Sequence, residues 1–198
     1  MKPSKLPLAG ILASLALFAS AAAHYPGGYR LTGDFISTLF ASLTPAGVDN
    51  AARPIAIAAM LVFCASVGLL FELVSRQASQ KGLAKIIQIG GIGSMVYAFL
   101  VVTPMHDLLV GIALLFFFPA MFAALALVYR DGRPALFWAG ILCLGLMIVA
   151  STMYYGHVAW QLLPLAQKSS MGACTCWLLT LQLAPGQQLA TVEPALAK

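Results

Sequence analysis

The chain has 198 residues, of which 61% are hydrophobic and 9% charged, with a formal net charge of +5. Those proportions exclude an ordinary water-soluble domain, in which about a quarter of the residues carry charge. They also exclude a nucleic-acid binder, because the Lys and Arg residues stand at the ends of apolar runs and form no basic cluster with interleaved aromatics.

A helix crosses about 30 Å of hydrocarbon with about 20 apolar residues. By that rule the first span covers residues 6–23, after two lysines in Met1–Lys5. Ala21 and Ala23 would also satisfy a signal-peptide cleavage site before His24. The apolar run is longer than a usual signal core and more spans follow, so a retained helix is expected. Residues 24–54 form the longest stretch between spans. It opens on the turn-rich Tyr25-Pro26-Gly27-Gly28-Tyr29 and continues into Phe35, Ile36, Leu39, Phe40 and Leu43 at helical spacing. The pattern predicts a short amphipathic helix over 34–43, N-capped by Asp34 and lying on the membrane or over the bundle as a lid.

Pro54 suits the first turn of a second span at 55–75, where Glu72 can pair with Arg76 one turn on. A basic loop, Arg76 to Lys85, precedes a third span at 86–103. Within it Gly90, Ser94 and Ala98 make a small-residue stripe that lets another helix approach. Gln88 reads as an interfacial amide. The turn Thr103-Pro104-Met105-His106-Asp107 leads into a fourth span at 107–129, interrupted by Pro119. After Arg130-Asp131-Gly132-Arg133-Pro134 a fifth span covers 135–153, and Tyr154, Tyr155 and Trp160 mark an interfacial belt. The sixth must run 164–184, because the purely apolar part from Met171 is too short to cross. That draws Gln167 and Lys168 into the helix, with Lys168 either snorkelling outward or facing a polar cavity. Residues 185–198 are a polar tail. The expected fold is therefore all-α, a polytopic membrane bundle of six transmembrane helices with one amphipathic helix in its first outer loop.

Orientation follows from charge. Lys2, Lys5, Arg76, Lys81, Lys85, Arg130, Arg133 and Lys198 fall on one side, and only Arg30, Arg53 and Lys168 on the other. The positive-inside rule then makes both termini cytoplasmic, and an inner membrane is the expected location. His24, His106 and His157 share the outer side with Asp34, Asp49, Asp107, Asn50 and Arg53. Loops are polar in any membrane protein, which explains such a gathering without function. The sharper reading is an outward pocket for a lipid or other amphiphile. Asp34, Ser37, Asn50, Arg53, His157 and Lys168 would meet its head, and His106 beside Asp107 would serve as a general base.

Two other readings stay open. One is a lipid hydrolase or acyl-chain remodelling enzyme using His106 and Asp107, with zinc on His24, His106 and His157 as a weak possibility, since none of the three are spaced as a helical ligand pair. Haem between His106 and His157 would need buried ligands, and both read as helix-end residues. The other is a non-enzymatic scaffold or partner subunit that packs on another membrane protein, or on its own copy, through Gly90, Ser94 and Ala98. Cys64, Cys143, Cys174 and Cys176 all lie in apolar runs and lack the spacing of a redox pair or a zinc site.

The order of motifs resembles the bacterial domain-of-unknown-function family numbered 998, small six-helix membrane proteins related to the Frag1/DRAM/Sfk1 group. The resemblance rests on Gly33-Asp34-Phe35-Ile36-Ser37-Thr38-Leu39, on Asn50 and Arg53, on Thr103-Pro104 and His106, and on Gln167-Lys168. It implies six helices with both ends inside. By analogy with eukaryotic relatives tied to lipid-anchor remodelling, it favours a lipid-related role. Relatives often carry an acidic residue where this chain has Thr38.

Overall fold

The structure, a computed structural model, describes residues 4–184. Among them are six α-helices: α1 (Leu6–Ala23), α2 (Arg53–Ser75), α3 (Lys81–Leu100), α4 (His106–Arg130), α5 (Pro134–Gly156) and α6 (Leu163–Leu183). There is no β-strand among the described residues, only an isolated bridge between Leu43 and Asp49. The helices α1 to α5 are each long and apolar enough to cross a membrane. That fits an integral membrane protein. In α6 the polar Gln167, Lys168, Ser169 and Ser170 lower the apolar content of a helix that is otherwise 21 residues long.

Helix boundaries follow elementary rules. Pro7, Pro54, Pro134 and Pro164 each occupy the first turn of a helix, where a missing N–H costs nothing. The α4 helix continues through Pro119. Two expectations need correction. The α3 helix begins at Lys81, five residues before the expected start, and ends at Leu100. Its two lysines are therefore helical, with long stems that can follow the helix surface to water. The amphipathic helix expected over 34–43 is a five-residue 3-10 helix, Ile36–Phe40, flanked on both sides by extended backbone. Asp34 does not cap it; its N-cap residue is Phe35. The polar tail expected at 185–198 lies outside the described residues.

The helix α2 is the hub, packed against α1, α3, α6 and the short 3-10 helix. Phe71, Leu70 and Val74 on α2, Ile87 on α3, Met121, Ala124 and Val128 on α4, and Leu178 and Leu181 on α6 are almost wholly enclosed. Lipid tails are as apolar as these side chains, so shape fit and buried hydrogen bonds hold such a bundle together more than the hydrophobic effect does. Adjacent glycines on α3 show the fit. A Cβ at Gly90 would stand 2.8 Å from the Phe116 carbonyl oxygen of α4, and one at Gly91 would stand 2.0 Å from Cγ of Phe71 on α2. Of the small-residue stripe, Gly90 receives α4 and Ser94 is 1% exposed, while Ala98 is half-buried.

The chain reversals sort the helix ends into two poles. At one, Gln88 Nε2 donates to Glu72 (2.7 Å), Arg76 pairs with the same carboxylate (2.8 Å), and Gln77 Nε2 reaches the Leu181 carbonyl (3.2 Å). Gln88 is therefore part of an interhelical network and more than an interfacial amide. Arg133 closes this pole by donating to the Ala184 carbonyl. The opposite pole collects the 24–52 loop and the turns joining α3 to α4 and α5 to α6.

Candidate functional site at the loop-covered pole

The 24–52 loop is folded by its own polar groups. Asp34 accepts from the Arg30 backbone N–H (2.7 Å) and from its guanidinium (3.1 Å), closing a turn. Desolvation alone would raise the Asp34 pKa, but the Arg30 hydrogen bonds and the charges of Arg30 and Lys168 outweigh it and hold it below the usual carboxylate value. Burial, aided by the Asp34 and Tyr25 charges, pushes Tyr29 up to about 12. Asn50, 6% exposed, donates to the Leu39 and Ala41 carbonyls (3.0 and 2.9 Å) and accepts from the Ala52 N–H (3.1 Å). Arg53 Nε donates to the Phe40 carbonyl (2.9 Å). Asn50 and the Arg53 Nε thus fasten the short helix to the start of α2. Ser37 is half-buried on that helix.

The loop is fastened to α6 as well. Lys168 Nζ donates to the Asp34 carbonyl and lies 5.5 Å from the centre of the Tyr29 ring. Phe35 meets Trp160 edge-on, ring centres 5.6 Å apart. The segment therefore does roof the bundle, although as an irregular loop.

Across the pole, His106 Nδ1 and Asp107 Oδ1 are 3.0 Å apart, and the Tyr154 hydroxyl donates to Asp107 and lies 3.3 Å from His106 Nδ1. Asp107 sits in the first turn of α4, where a negative charge suits the helix dipole. The α5 helix ends on His157, whose φ of 52° is left-handed, and Ala159 follows with φ 50°. These two turns swing Trp160 back over Tyr154, stacked at 6.0 Å, with His157 at 5.5 Å from the Trp160 ring.

The expected site residues thus form two groups bridged by Trp160. His106, Asp107 and His157 gather with Tyr154 on one side, and Asp34 with Lys168 on the other. His24 stands apart, its Nδ1 2.8 Å from the Ser20 carbonyl. Among the described residues no three His, Cys, Asp or Glu side chains come together closely enough for a metal ion, so the three histidines do not converge as a zinc triad would require. Tyr154, Trp160 and Tyr29 are the residues the sequence reading missed. An aromatic belt hides which of its members also carry a polar contact.

No family model, curated protein or solved structure matches this chain.

Beneath the pole is an apolar cavity of about 130 Å³ between α2, α3, α4, α5 and α6. Met60, Met95, Met147 and Met171 line it, half of the chain's 8 methionines, with Ala113 and Thr175 among the other wall residues. Methionine is unbranched and polarisable, so such a wall re-forms around different apolar occupants. The register above it is regular. Arg53 precedes Met60, His106 precedes Ala113, Tyr154 follows Met147 and Lys168 precedes Thr175, each by seven residues. Seven residues are two helical turns, so each polar side chain shares a face with a cavity wall and stands about 10 Å above it.

Proposed function

We propose that this is an inner-membrane protein, with both termini cytoplasmic, that binds or handles a lipid or related amphiphile at its outward pole. The observation that carries this reading is the two-turn register of Arg53, His106, Tyr154 and Lys168 over a methionine-lined cavity. An amphiphile needs hydrogen bonds and charge for its head and a dry slot for its chain, and the four helices supply both on the same faces. Lys168 and Arg53 suit a phosphate or carboxylate head. The resemblance to family 998, with its lipid-related relatives, points the same way.

The test is lipid mass spectrometry of the protein purified in mild detergent. Wild-type protein should retain a defined lipid in near-stoichiometric amount. Ala113→Phe, which fills the cavity, and Lys168→Gln, which removes a cation from the head region, should each lower that amount by about tenfold, the scale on which one apolar or ionic contact discriminates. Unchanged lipid content in both variants would overturn the reading.

The hydrogen-bonded His106–Asp107 pair favours a second reading, a lipid hydrolase or acyl-chain remodelling enzyme in which Asp107 orients His106 as general base. His106→Ala would then abolish turnover while leaving the lipid bound.

A further inference from the structure

A second apolar hollow, about 470 Å³, runs along the outside of the bundle between α2 and α3. Leu61 and Val96 on its walls are exposed residues inside two membrane-length helices, and the exposed Leu100 ends α3. One end closes on Glu72, which is held by Arg76 and Gln88. The other end lies toward Arg53, which is exposed and opens α2 eight residues, about 12 Å along the axis, before Leu61. A basic group at head level, an apolar trough facing hydrocarbon and a polar stop at the far end match a membrane phospholipid. Its phosphate would lie near Arg53 and one acyl chain in the trough.

The hollow and the internal cavity share one wall residue, Met95. On α2 the wall is a single layer, with Met60, Phe63 and Val67 turned to the cavity and Leu61, Cys64 and Gly68 to the trough. Opposite Met95 stands Gly68, where a Cβ would lie 3.8 Å from Met95 Cβ and 3.9 Å from its Cγ. The missing side chain leaves the Met95 thioether room to swing. The cavity alone is smaller than the roughly 300 Å³ at which small-molecule sites begin. Joined to the trough it falls within that range.

From this shared wall we infer that the trough is a phospholipid site and that Met95 is its side door: one acyl chain passes from the bilayer between α2 and α3, past Met95, into the cavity. This inference rests on the amphiphile reading above and adds the ligand class and the route. Rotation about the three side-chain bonds of Met95 opens the wall, and Gly68 permits it without moving either backbone.

The experiment uses full-length protein in phosphatidylethanolamine–phosphatidylglycerol vesicles doped with a phospholipid that carries a diazirine near one chain end. Crosslinks are mapped by peptide mass spectrometry, and helicity is checked by circular dichroism. In wild type, crosslinks are expected on trough residues such as Leu61 and Val96 and on cavity residues such as Met147 and Met171. Met95→Ala should raise cavity crosslinks. Met95→Trp should lower them by about tenfold, the effect of one side chain's volume in an apolar passage, and leave those in the trough. Gly68→Val, which holds Met95 shut from the opposite wall, should act like Met95→Trp and stands in for it should the tryptophan prevent folding. Cavity crosslinks indifferent to residues 68 and 95 would overturn the side door while leaving the amphiphile reading intact. A cavity never crosslinked, even in Met95→Ala, would overturn both.

Discussion

Asp34 shows how a single residue's role changes once its neighbours are known. Its position before an apolar repeat reads as an N-cap, yet its carboxylate folds back four residues to Arg30 while its carbonyl receives Lys168. The Arg30 side chain is 78% exposed, so the ion pair contributes less than about 1 kcal/mol at neutral pH. Because the folded pKa lies below the ordinary 3.8, the unfolded chain takes up the proton first. The stabilisation is complete above that value and fades as pH falls through the folded one. Asp34→Asn should therefore unfold slightly more easily than wild type at neutral pH and converge with it in strong acid, measured by thermal unfolding in detergent. A constant offset across the whole range would mean that the carboxylate's charge contributes nothing. In the sequence Tyr154 and Trp160 carry no signal beyond that of belt aromatics. Their part in the pole depends on the left-handed turns at His157 and Ala159, positions where no glycine signals such a backbone.

At the scale of elements, the long helices were legible because an uncharged run of about 20 residues has few alternatives. The expected and observed limits of α1 agree, and those of α2, α4, α5 and α6 differ by at most three residues at either end. Charge misled at α3, where Lys81 and Lys85 read as a loop although the helix runs through both and takes in Gly82 in its first turn. The loop after α1 misled differently. Phe35 to Leu43 has helical spacing, but Asn50 captures the Leu39 and Ala41 carbonyls and Arg53 that of Phe40, which turns the backbone away after one and a half turns. How α3 fits between its neighbours has a direct test. Gly91→Ala puts a methyl into the base of the Phe71 ring, and Gly90→Ala puts one against backbone of α4. Each should cost about 1–3 kcal/mol, the usual penalty for overpacking a closed contact. Gly145→Ala, which meets nothing within 4 Å, should be neutral or gain up to about 1 kcal/mol from helix propensity. Thermal unfolding in a common detergent ranks the three, and equal melting temperatures would show that α3 does not pack as closely as described.

Across the whole molecule, charge separates along the bundle axis. Lys5, Arg76, Lys81, Lys85, Arg130 and Arg133 belong to one pole, and Arg30, Arg53 and Lys168 to the other. The second pole also carries all three histidines, and each of its three cations bonds to the loop, Arg30 to the Asp34 carboxylate, Lys168 to the Asp34 carbonyl and Arg53 to the Phe40 carbonyl. Among the described residues the first pole thus holds six cations and the second three, and in the orientation proposed above the positive-inside rule would put the first pole in the cytoplasm. Cysteine accessibility decides it. Met105 is 58% exposed at the histidine pole and Ser79 lies exposed in the loop between α2 and α3, while Cys64, Cys143 and Cys174 are buried and Cys176 lies inside α6. In spheroplasts, with the exposed Cys176 replaced by alanine, a membrane-impermeant maleimide should label Met105→Cys at once and Ser79→Cys only after lysis. The reverse pattern would turn the pole with His106 and Lys168 toward the cytosol, and a ligand drawn from the outer leaflet could no longer reach it.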